Sequence, residues 1–253
     1  MTPALLDRLS TGCSRCRGLC CTLLCFSRSE GFPADKEAGR PCPLLALDYR
    51  CAVHGELAQR GLRGCMAFEC FGAGPSLCAL FSPETECEVL VSAFCTARQL
   101  CQSLWYLAQA AEYGPEEAEI AALIAGGLEL LSSREGLTGS GPAGHHLHTS
   151  KLLHRLHRRW YPRAERKKLY LGADLRRTNL EARDLSGALL IAADLRGRSL
   201  RGSSLLGADL RDTRLEGADL SQCCFLTQFQ VNSAQGDHLT ALPPELIRPG
   251  DWT

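Results

Sequence analysis

Ten leucines recur at every fifth position near the end of this chain. They are Leu175, Leu180, Leu185, Leu190, Leu195, Leu200, Leu205, Leu210, Leu215 and Leu220, and Phe225 continues the spacing. An α-helix repeats near 3.6 residues and a strand repeats every 2, so neither presents one face at a period of five. The chain from 173 to 227 must therefore turn a regular corner in each repeat, which predicts a coiled wall.

Each leucine has small neighbours at fixed offsets. A small residue lies two positions before most of them, as at Ala188 and Ala193, and a glycine often follows two positions after, as at Gly197. The small residue and the leucine fit the inside of a narrow coil, and glycine eases its corner. Arg183 and Arg198 stand in the small-residue position, where a buried unpaired guanidinium is costly. We expect those two corners to be distorted or turned outward.

This A-D/N-L-x-x pattern resembles the pentapeptide-repeat proteins. The resemblance implies a right-handed four-sided β-helix with four pentads in each coil. Eleven pentads make just under three coils, and with coils about 4.8 Å apart the wall is roughly 13 Å tall. The open ends of such a short solenoid need caps. We assign residues 169–227 to the solenoid and residues 228–253 to a C-terminal cap or tail.

Cysteine is the second strong signal, because 13 of the 15 cysteines precede Gln102. No signal peptide precedes them, and no run of 18 apolar residues occurs, so we expect a cytoplasmic protein with no membrane span. In a reducing compartment, dense cysteines favour metal or redox chemistry over structural disulfides. The C-x-x-C turn at Cys13 and Cys16 places two thiolates on one metal, and distant cysteines complete a tetrahedral set for Zn²⁺ or an iron–sulfur cluster.

Residues 1–81 form a cysteine-rich head that resembles a family of zinc- or iron-chelating proteins, which open with C-x2-C-x3-C-C and continue with spaced single cysteines. The resemblance carries over eight metal ligands: Cys13, Cys16, Cys20, Cys21, Cys42, Cys51, Cys65 and Cys70. They could fill two four-coordinate sites, or one cluster together with a zinc ion. His54 in place of one thiolate, as in a Cys3His zinc site, is a further alternative.

The other five cysteines that precede Gln102 have no counterpart in that family: Cys25, Cys78, Cys87, Cys95 and Cys101. Free cysteine is often buried as a small apolar side chain, so we expect Cys95 and Cys101 to pack in a core. Cys223 falls in the small-residue position of the last pentad and should point inward. The whole chain resembles bacterial pentapeptide-repeat proteins with a cysteine-rich head.

Residues 82–132 are predicted to be helical. Ser82-Pro83-Glu84 is a suitable helix start, and apolar residues from Leu90 to Ala108 then recur at spacings of three and four. A second helix is predicted from Glu116 to Leu131. Residues 133–168 should form a flexible linker, which is rich in glycine from Ser132 to Gly144, followed by a basic helix.

The basic segment from Lys151 to Lys168 holds eight lysines or arginines beside Trp160 and Tyr161. It could meet phosphates and stack a base, or meet an anionic lipid surface. We favour a solvated amphipathic helix that packs on the first coil, because the net charge is zero and nucleic-acid binders show wider basic faces. His154 and His157, three residues apart, are an alternative metal-binding pair.

Enzyme motifs are otherwise absent from the sequence, so we assign no catalytic or cofactor-binding residue. We predict a non-catalytic metal-binding protein whose solenoid is a protein-interaction scaffold, with an unidentified partner and no nucleic acid. One alternative is an iron–sulfur or thiol redox enzyme or sensor. Another, implied by some pentapeptide-repeat relatives, is a DNA mimic that binds type II topoisomerases.

Charge argues against the DNA mimic. Residues 173–227 carry eight acidic and eight basic side chains, whereas duplex DNA carries one negative charge per about 1.7 Å. A neutral wall does not imitate that charge density. An uncapped edge of the solenoid could also pair with a second copy of the chain, so an oligomer is a further alternative.

Overall fold

A computed structural model describes residues 2–112, 117–162 and 169–253. The chain divides into two compact units, Met1–Cys65 with Glu69–Arg155, and Met66–Phe68 with Leu156–Thr253. The described helices are α1 (Pro3–Leu9), α2 (Leu19–Leu23), α3 (Arg63–Ala67), α4 (Ala73–Leu80), α5 (Cys87–Ala110), α6 (Glu117–Leu130), α7 (Arg134–Thr138), α8 (Gly141–Trp160) and α9 (Gln228–Ser233). Within these ranges no helix combines the length and the apolarity that a bilayer crossing requires.

Helix α5 is the centre of the first unit. Helices α1, α2, α4, α6 and α7 all pack against it. The predicted apolar stripe is confirmed, since its six members are buried: Leu90, Phe94, Ala97, Cys101, Leu104 and Ala108. The helix begins at Cys87, later than the predicted start, because Ser82 closes a separate turn by accepting a hydrogen bond from Thr85 N at 3.2 Å.

The predicted second helix corresponds to α6, whose Ile120 is buried, as is the adjoining Leu131. Glu116, its predicted first residue, lies outside the described ranges. The expected flexible linker is corrected by the structure, which has α7 and the start of α8 there. Ser133 caps α7 by accepting a hydrogen bond from Gly136 N at 2.9 Å, and Leu137 is buried. This cap and this buried leucine offset the low helix propensity of the glycines.

Helix α8 contains the first part of the basic segment, and residues 163–168 of that segment lie outside the described ranges. Leu152, Leu153 and Leu156 are buried on α8, while Arg155, Arg158 and Arg159 are exposed. This division matches the amphipathic helix that we expected.

The second unit is built on parallel bridges between residues 20 positions apart, such as Asp174 with Asp194 and Asp194 with Arg214. Twenty residues equal four pentads. Each contact is an isolated bridge, and the described part of the chain contains no extended strand. A strand-rich β-helix is therefore not seen, and the right-handed form stays a prediction.

The period of five corresponds to a regular inward position. All ten leucines and Phe225 are at most 7% exposed. The residue two positions after the leucine takes a left-handed backbone in most pentads, with φ of 64° at Gly197 and 56° at Ala192. This conformation turns the chain at each corner and costs glycine nothing.

The two arginines in the small-residue position behave differently. Arg183 is exposed, as expected, and its N–H donates to Ser203 Oγ at 3.0 Å, while Ser203 donates to Leu180 O. The Ser203 hydroxyl thus bridges Arg183 N–H and Leu180 O, two backbone groups whose counterparts in other pentads form a direct hydrogen bond. Arg198 keeps the ordinary turn, with its N–H donating to Leu195 O at 3.0 Å, so this corner is not distorted.

The C-terminal tail continues the ladder. Gln235 bridges Arg214, and Ala241 bridges Asp219. The Gln230 side chain donates to Leu205 O at 2.8 Å and to Ala208 O at 2.9 Å, so it satisfies carbonyls of the last coils. These contacts pair the tail with the end of the repeats.

Two adjacent leucines, one buried and one exposed, allow a test of which side chains point into the coil. Leu190 is fully buried, while Leu189 is 41% exposed. We expect Leu190→Ala to lower the free energy of unfolding of the second unit by about 2 to 5 kcal/mol, because it leaves a cavity. Leu189→Ala should change it by about 0.5 kcal/mol or less. Urea denaturation followed by circular dichroism measures both, and equal effects would contradict the inward assignment.

Candidate metal centre

The C-x-x-C turn is tied to the loop that contains Cys51. Cys13 begins a 3-10 turn, and Cys16 N donates to Cys13 O at 3.3 Å. The Arg50 guanidinium donates to Cys13 O, and to Ser14 O at 2.8 Å. An arginine far along the chain therefore holds the carbonyls of this turn.

Cys70 and Cys78 belong to the segment that forms α4. Cys70 precedes the helix and Cys78 lies within it. Arg17 N donates to Cys78 Sγ at 3.2 Å, and Leu19 N donates to Cys16 Sγ at 3.5 Å. Gly74 permits the close approach, because a Cβ at that position would lie 2.7 Å from Cys16 Sγ.

Helix α2 carries Cys20 and Cys21, whose sulfurs are 3.9 Å apart. Cys42 N donates to Cys21 O at 2.9 Å, which fixes the loop of Cys42 beside α2. Cys51 forms an antiparallel bridge with Leu45, and Leu45 N donates to Cys42 O at 3.0 Å. Cys42 and Cys51 thus belong to one hairpin.

The thiols influence one another electrostatically. Burial first, and then the charges of Cys21, Cys42 and Cys51, raise the pKa of Cys65 to about 12. Burial, followed by the charges of Cys70 and Cys21, raises the pKa of Cys13.

Two thiols have lowered pKa values, which favour the thiolate form. A hydrogen bond from Cys16 lowers the pKa of Cys78 to about 6, with further help from Arg17 N–H and the Arg17 charge. A hydrogen bond from Cys20 lowers the pKa of Cys21 to about 7, and the Lys36 charge acts in the same direction. Thiolates are the form that binds metals and attacks disulfides.

Glu69 and Lys36 also belong to the head, although no sequence pattern singled them out. Glu69 is 9% exposed and accepts hydrogen bonds from Thr11 Oγ1 and from Phe71 N, the latter at 2.7 Å, while burial raises its pKa. Lys36 donates to Thr22 O at 3.2 Å and lies 4.6 Å from the Phe26 ring centre. The F-E-C triplet around Glu69 was visible in the sequence, but no local pattern indicated that its carboxylate is buried.

The eight predicted ligands all lie in the first unit. Sulfur atoms that accept backbone N–H bonds are a donor set suited to Zn²⁺ or an iron–sulfur cluster. As the side chains stand, however, no group of three or more His, Cys, Asp or Glu residues in the described ranges is close enough to hold a metal ion. The donor chemistry fits a metal, and metal binding itself stays a prediction.

The other cysteines have mixed outcomes. Cys101 is fully buried, and Cys223 is 5% exposed with its Sγ donating to Leu200 O at 3.1 Å, so both packing predictions are confirmed. The packing prediction for Cys95 is wrong, because it lies on the exposed face of α5. Cys25 and Cys87 are also exposed.

Among the described residues, neither His54 nor the pair of His154 and His157 lies in a group of side chains that could bind a metal ion. His54 is exposed. His157 Nε2 lies 2.6 Å from Ser204 Oγ, and His157 Nδ1 lies 3.5 Å from Asp184 Oδ1, so these contacts engage both ring nitrogens away from His154. Ser204 has no exposed surface. Within the second unit, this Ser-His-Asp arrangement therefore holds the last residues of α8 against the repeats and offers no accessible nucleophile.

The two aromatics of the basic segment are engaged within the second unit. The Trp160 ring stacks on Phe225 with centroids 6.1 Å apart, and Tyr161 OH donates to Gly202 O at 2.7 Å. Phe225 belongs to the last predicted pentad, so this contact is not with the first coil as expected. Aromatics held in this way are poorly placed to stack on a nucleic-acid base.

Comparison with known proteins identifies the repeats. Residues 188–225 match the family described as pentapeptide repeats, in eight copies. The uncharacterised protein YybG of Bacillus subtilis (strain 168) is 40% identical over 110 residues, which cover 40% of this chain and 39% of that protein. The match thus spans well under two thirds of the relative's length. No solved structure matches the chain.

Two cysteines on α5 form a matched pair for testing the described burial. Cys95 is exposed, whereas Cys101 is fully buried and burial raises its pKa to about 12. We expect iodoacetamide to alkylate Cys95 in the native, reduced protein at least about a hundredfold faster than Cys101, because only the accessible thiolate reacts. Peptide mass spectrometry measures both rates. Similar alkylation rates for Cys95 and Cys101 in the native protein would contradict this packing of α5. In denaturant, where both thiols are accessible, the two rates should become similar.

Proposed function

We propose that this protein is a non-catalytic metal-binding scaffold, in which the cysteine-rich head holds Zn²⁺ or an iron–sulfur cluster and the pentapeptide repeats bind a protein partner. The observation that carries the proposal is that all eight predicted ligands lie in one unit, where the Cys20 and Cys21 sulfurs are 3.9 Å apart and the Cys16 sulfur accepts a hydrogen bond from Leu19 N at 3.5 Å. Cysteine sulfurs held in this way are a suitable starting point for a thiolate-bound metal.

A bound metal would cross-link the loops of the head. Between α2 and α3 the described backbone is mostly turns and isolated bridges, and it contains few large buried apolar side chains. A segment of this kind gains folding free energy from a metal, because the ligands are brought together only in the folded state. This supports a structural role ahead of a catalytic one.

The scaffold role rests on the repeats. We propose that they form a short right-handed β-helix with four pentads in each coil, and the 20-residue spacing of the bridges supports this. Aspartates on its outer surface pair with arginines two residues later, as in Asp194 with Arg196 at 2.6 Å and Asp209 with Arg211 at 2.7 Å. The outer surface is therefore locally neutralised, which suits a protein partner better than the DNA mimicry we considered.

A second candidate is a redox enzyme or sensor. The observation in its favour is the Cys16–Cys78 pair, in which Cys16 donates to Cys78 and Arg17 N–H also stabilises the Cys78 thiolate. Low-pKa thiols are typical of redox-active cysteines. A cytoplasmic location would supply the reducing conditions under which either function operates.

Metal content tests the proposal. The full-length protein, purified without oxygen, should contain about one or two equivalents of zinc, or iron with sulfide and a broad visible absorption band. The double variant Cys13→Ser, Cys16→Ser should lose metal, because it removes both thiolates of one turn. The matched control is Cys95→Ser, which removes an exposed cysteine outside the head and should retain the metal.

The possible results separate the two functions. Zinc in a colourless protein would support the scaffold, whereas iron and sulfide would favour the redox candidate. A full-length protein that neither carries metal nor takes it up would contradict the head's proposed role.

A further inference from the structure

One side of the repeat coil is a ladder of three parallel rungs. Leu169 bridges Leu189, and Leu189 bridges Asp209, so three segments that are 20 residues apart lie side by side. A left-handed corner residue closes each rung: Gly172, Ala192 and Asp212. The three rungs therefore end together and share one surface. We call this surface the leucine wall, and it consists of residues 169–171, 189–191 and 209–211.

The leucine wall presents aliphatic side chains on its outside. Leu190 and Leu210 lie at the middle of their rungs and are buried in the coil. Side chains alternate along a pleated chain, so the residues on either side of a buried one point outward. The four outward side chains of the first two rungs are aliphatic and at least partly exposed: Leu169 (55%), Leu171 (54%), Leu189 (41%) and Ile191. They form one apolar patch on two adjacent rungs.

The neighbouring side of the coil is different. Asp174 bridges Asp194 there, and the outward positions are charged: Asp174, Arg176, Asp194 and Arg196. Asp194 and Arg196 are paired at 2.6 Å, so this surface is suited to contact with water. Aliphatic side chains in the equivalent positions of the leucine wall are favoured only when something removes them from water. Contiguous exposed apolar side chains of this kind are typical of an interaction surface.

The third rung of the leucine wall is charged, but its outward residues follow the same plan. Asp209 precedes the buried Leu210, Arg211 follows it, and the two charged side chains are paired at 2.7 Å. The two outward positions of a rung are about 6.6 Å apart, which is twice the rise per residue. In every rung the residue before the middle position is chemically complementary to the residue after it, either aliphatic with aliphatic or acid with base.

We propose that the leucine wall is a dimer interface, on which two copies of the chain pack face to face about a two-fold axis parallel to the stacking direction of the rungs. This axis keeps each rung level with the same rung of the second copy and reverses its direction. Leu189 then faces Ile191 of the second copy, and Asp209 faces Arg211 of the second copy. The inference rests on the interaction role proposed for the repeats and adds to it one surface and one partner.

The match within each rung favours a second copy of the chain over a different protein. A two-fold interface uses the same patch on both molecules, so every rung must complement itself. All three rungs do so, whereas a different partner would not require it. The wall is small, with rungs about 4.8 Å apart, and interfaces below about 1,200 Å² are typically transient. We therefore expect a weak dimer that dissociates on dilution.

Sedimentation analysis of the full-length, reduced protein over a wide range of concentration tests the interface. The unaltered protein should show a reversible equilibrium between monomer and dimer. Leu189→Lys should raise the dissociation constant of the dimer by at least about tenfold, because it buries an ammonium group opposite aliphatic side chains. The matched control is Leu239→Lys, which alters a leucine that is 66% exposed outside the wall and should leave the equilibrium unchanged.

An exchange of charges tests the two-fold pairing. The double variant Asp209→Arg, Arg211→Asp keeps an acid and a base in each chain, and under the proposed axis its acid again faces a base in a second copy of itself. It should therefore dimerise like the unaltered protein. A mixed dimer of the two proteins would place acid against acid and base against base, so it should form more weakly than either dimer. Fluorescence-detected sedimentation of a labelled trace of one protein in an excess of the other measures this.

Three results would overturn the interface: an unaltered protein that stays monomeric, a folded Leu189→Lys protein that dimerises normally, or a mixed dimer as stable as the two unmixed ones. Circular dichroism confirms that each variant is folded. Metal content, measured on the same samples, should not differ between the variants and the unaltered protein. Loss of the dimer with the metal retained leaves the proposed role of the head standing, and binding of a different protein to a monomeric chain leaves only the scaffold role.

Discussion

A left-handed residue in most pentads is the constraint on which the repeat unit depends. Gly197 and Gly207 each have a φ of 64°. At these positions the chain turns a corner of the coil, where an extended backbone would run straight on. The turn returns each leucine to the interior and places bridge partners 20 residues apart. Residues such as Ala192 also adopt this conformation, at a cost that the buried leucines and the backbone ladder offset. The tail then pairs with the last coils through the same kind of backbone bond.

The cysteine-rich head is held together by a different kind of contact from the repeats. Its centre is α5, but the loops that contain the predicted ligands are held by bonds between distant side chains and backbone, as Arg50 holds the Cys13 turn. Buried thiols occupy positions that aliphatic side chains would fill in an ordinary core, at Cys42 and Cys70. Buried sulfur with backbone N–H donors gives little apolar stabilisation, but it is well suited to bind a soft metal.

Helix α8 carries a basic face whose exposed arginines suggested a phosphate-binding surface. Its aromatic and histidine side chains instead make contacts within the second unit, with Trp160 on Phe225 and His157 on Ser204. The paired aspartates and arginines of the repeats neutralise their charges locally. Surface pairs of this type add little stability, but they leave a wall without the strong field that nucleic acids or their mimics require.

The sequence by itself determined the period of five, the inward leucines, the apolar stripe of α5 and the eight candidate ligands, because each follows from spacing along the chain. It could not indicate that Ser203 would bridge the corner at Arg183, that Cys95 would face solvent, or that Glu69 would be buried. Those outcomes depend on which distant segments meet. Only the tertiary structure decided which segments meet at the cysteines, because loop closure brings together groups that are separated by dozens of residues, such as Arg17 N and Cys78 Sγ at 3.2 Å.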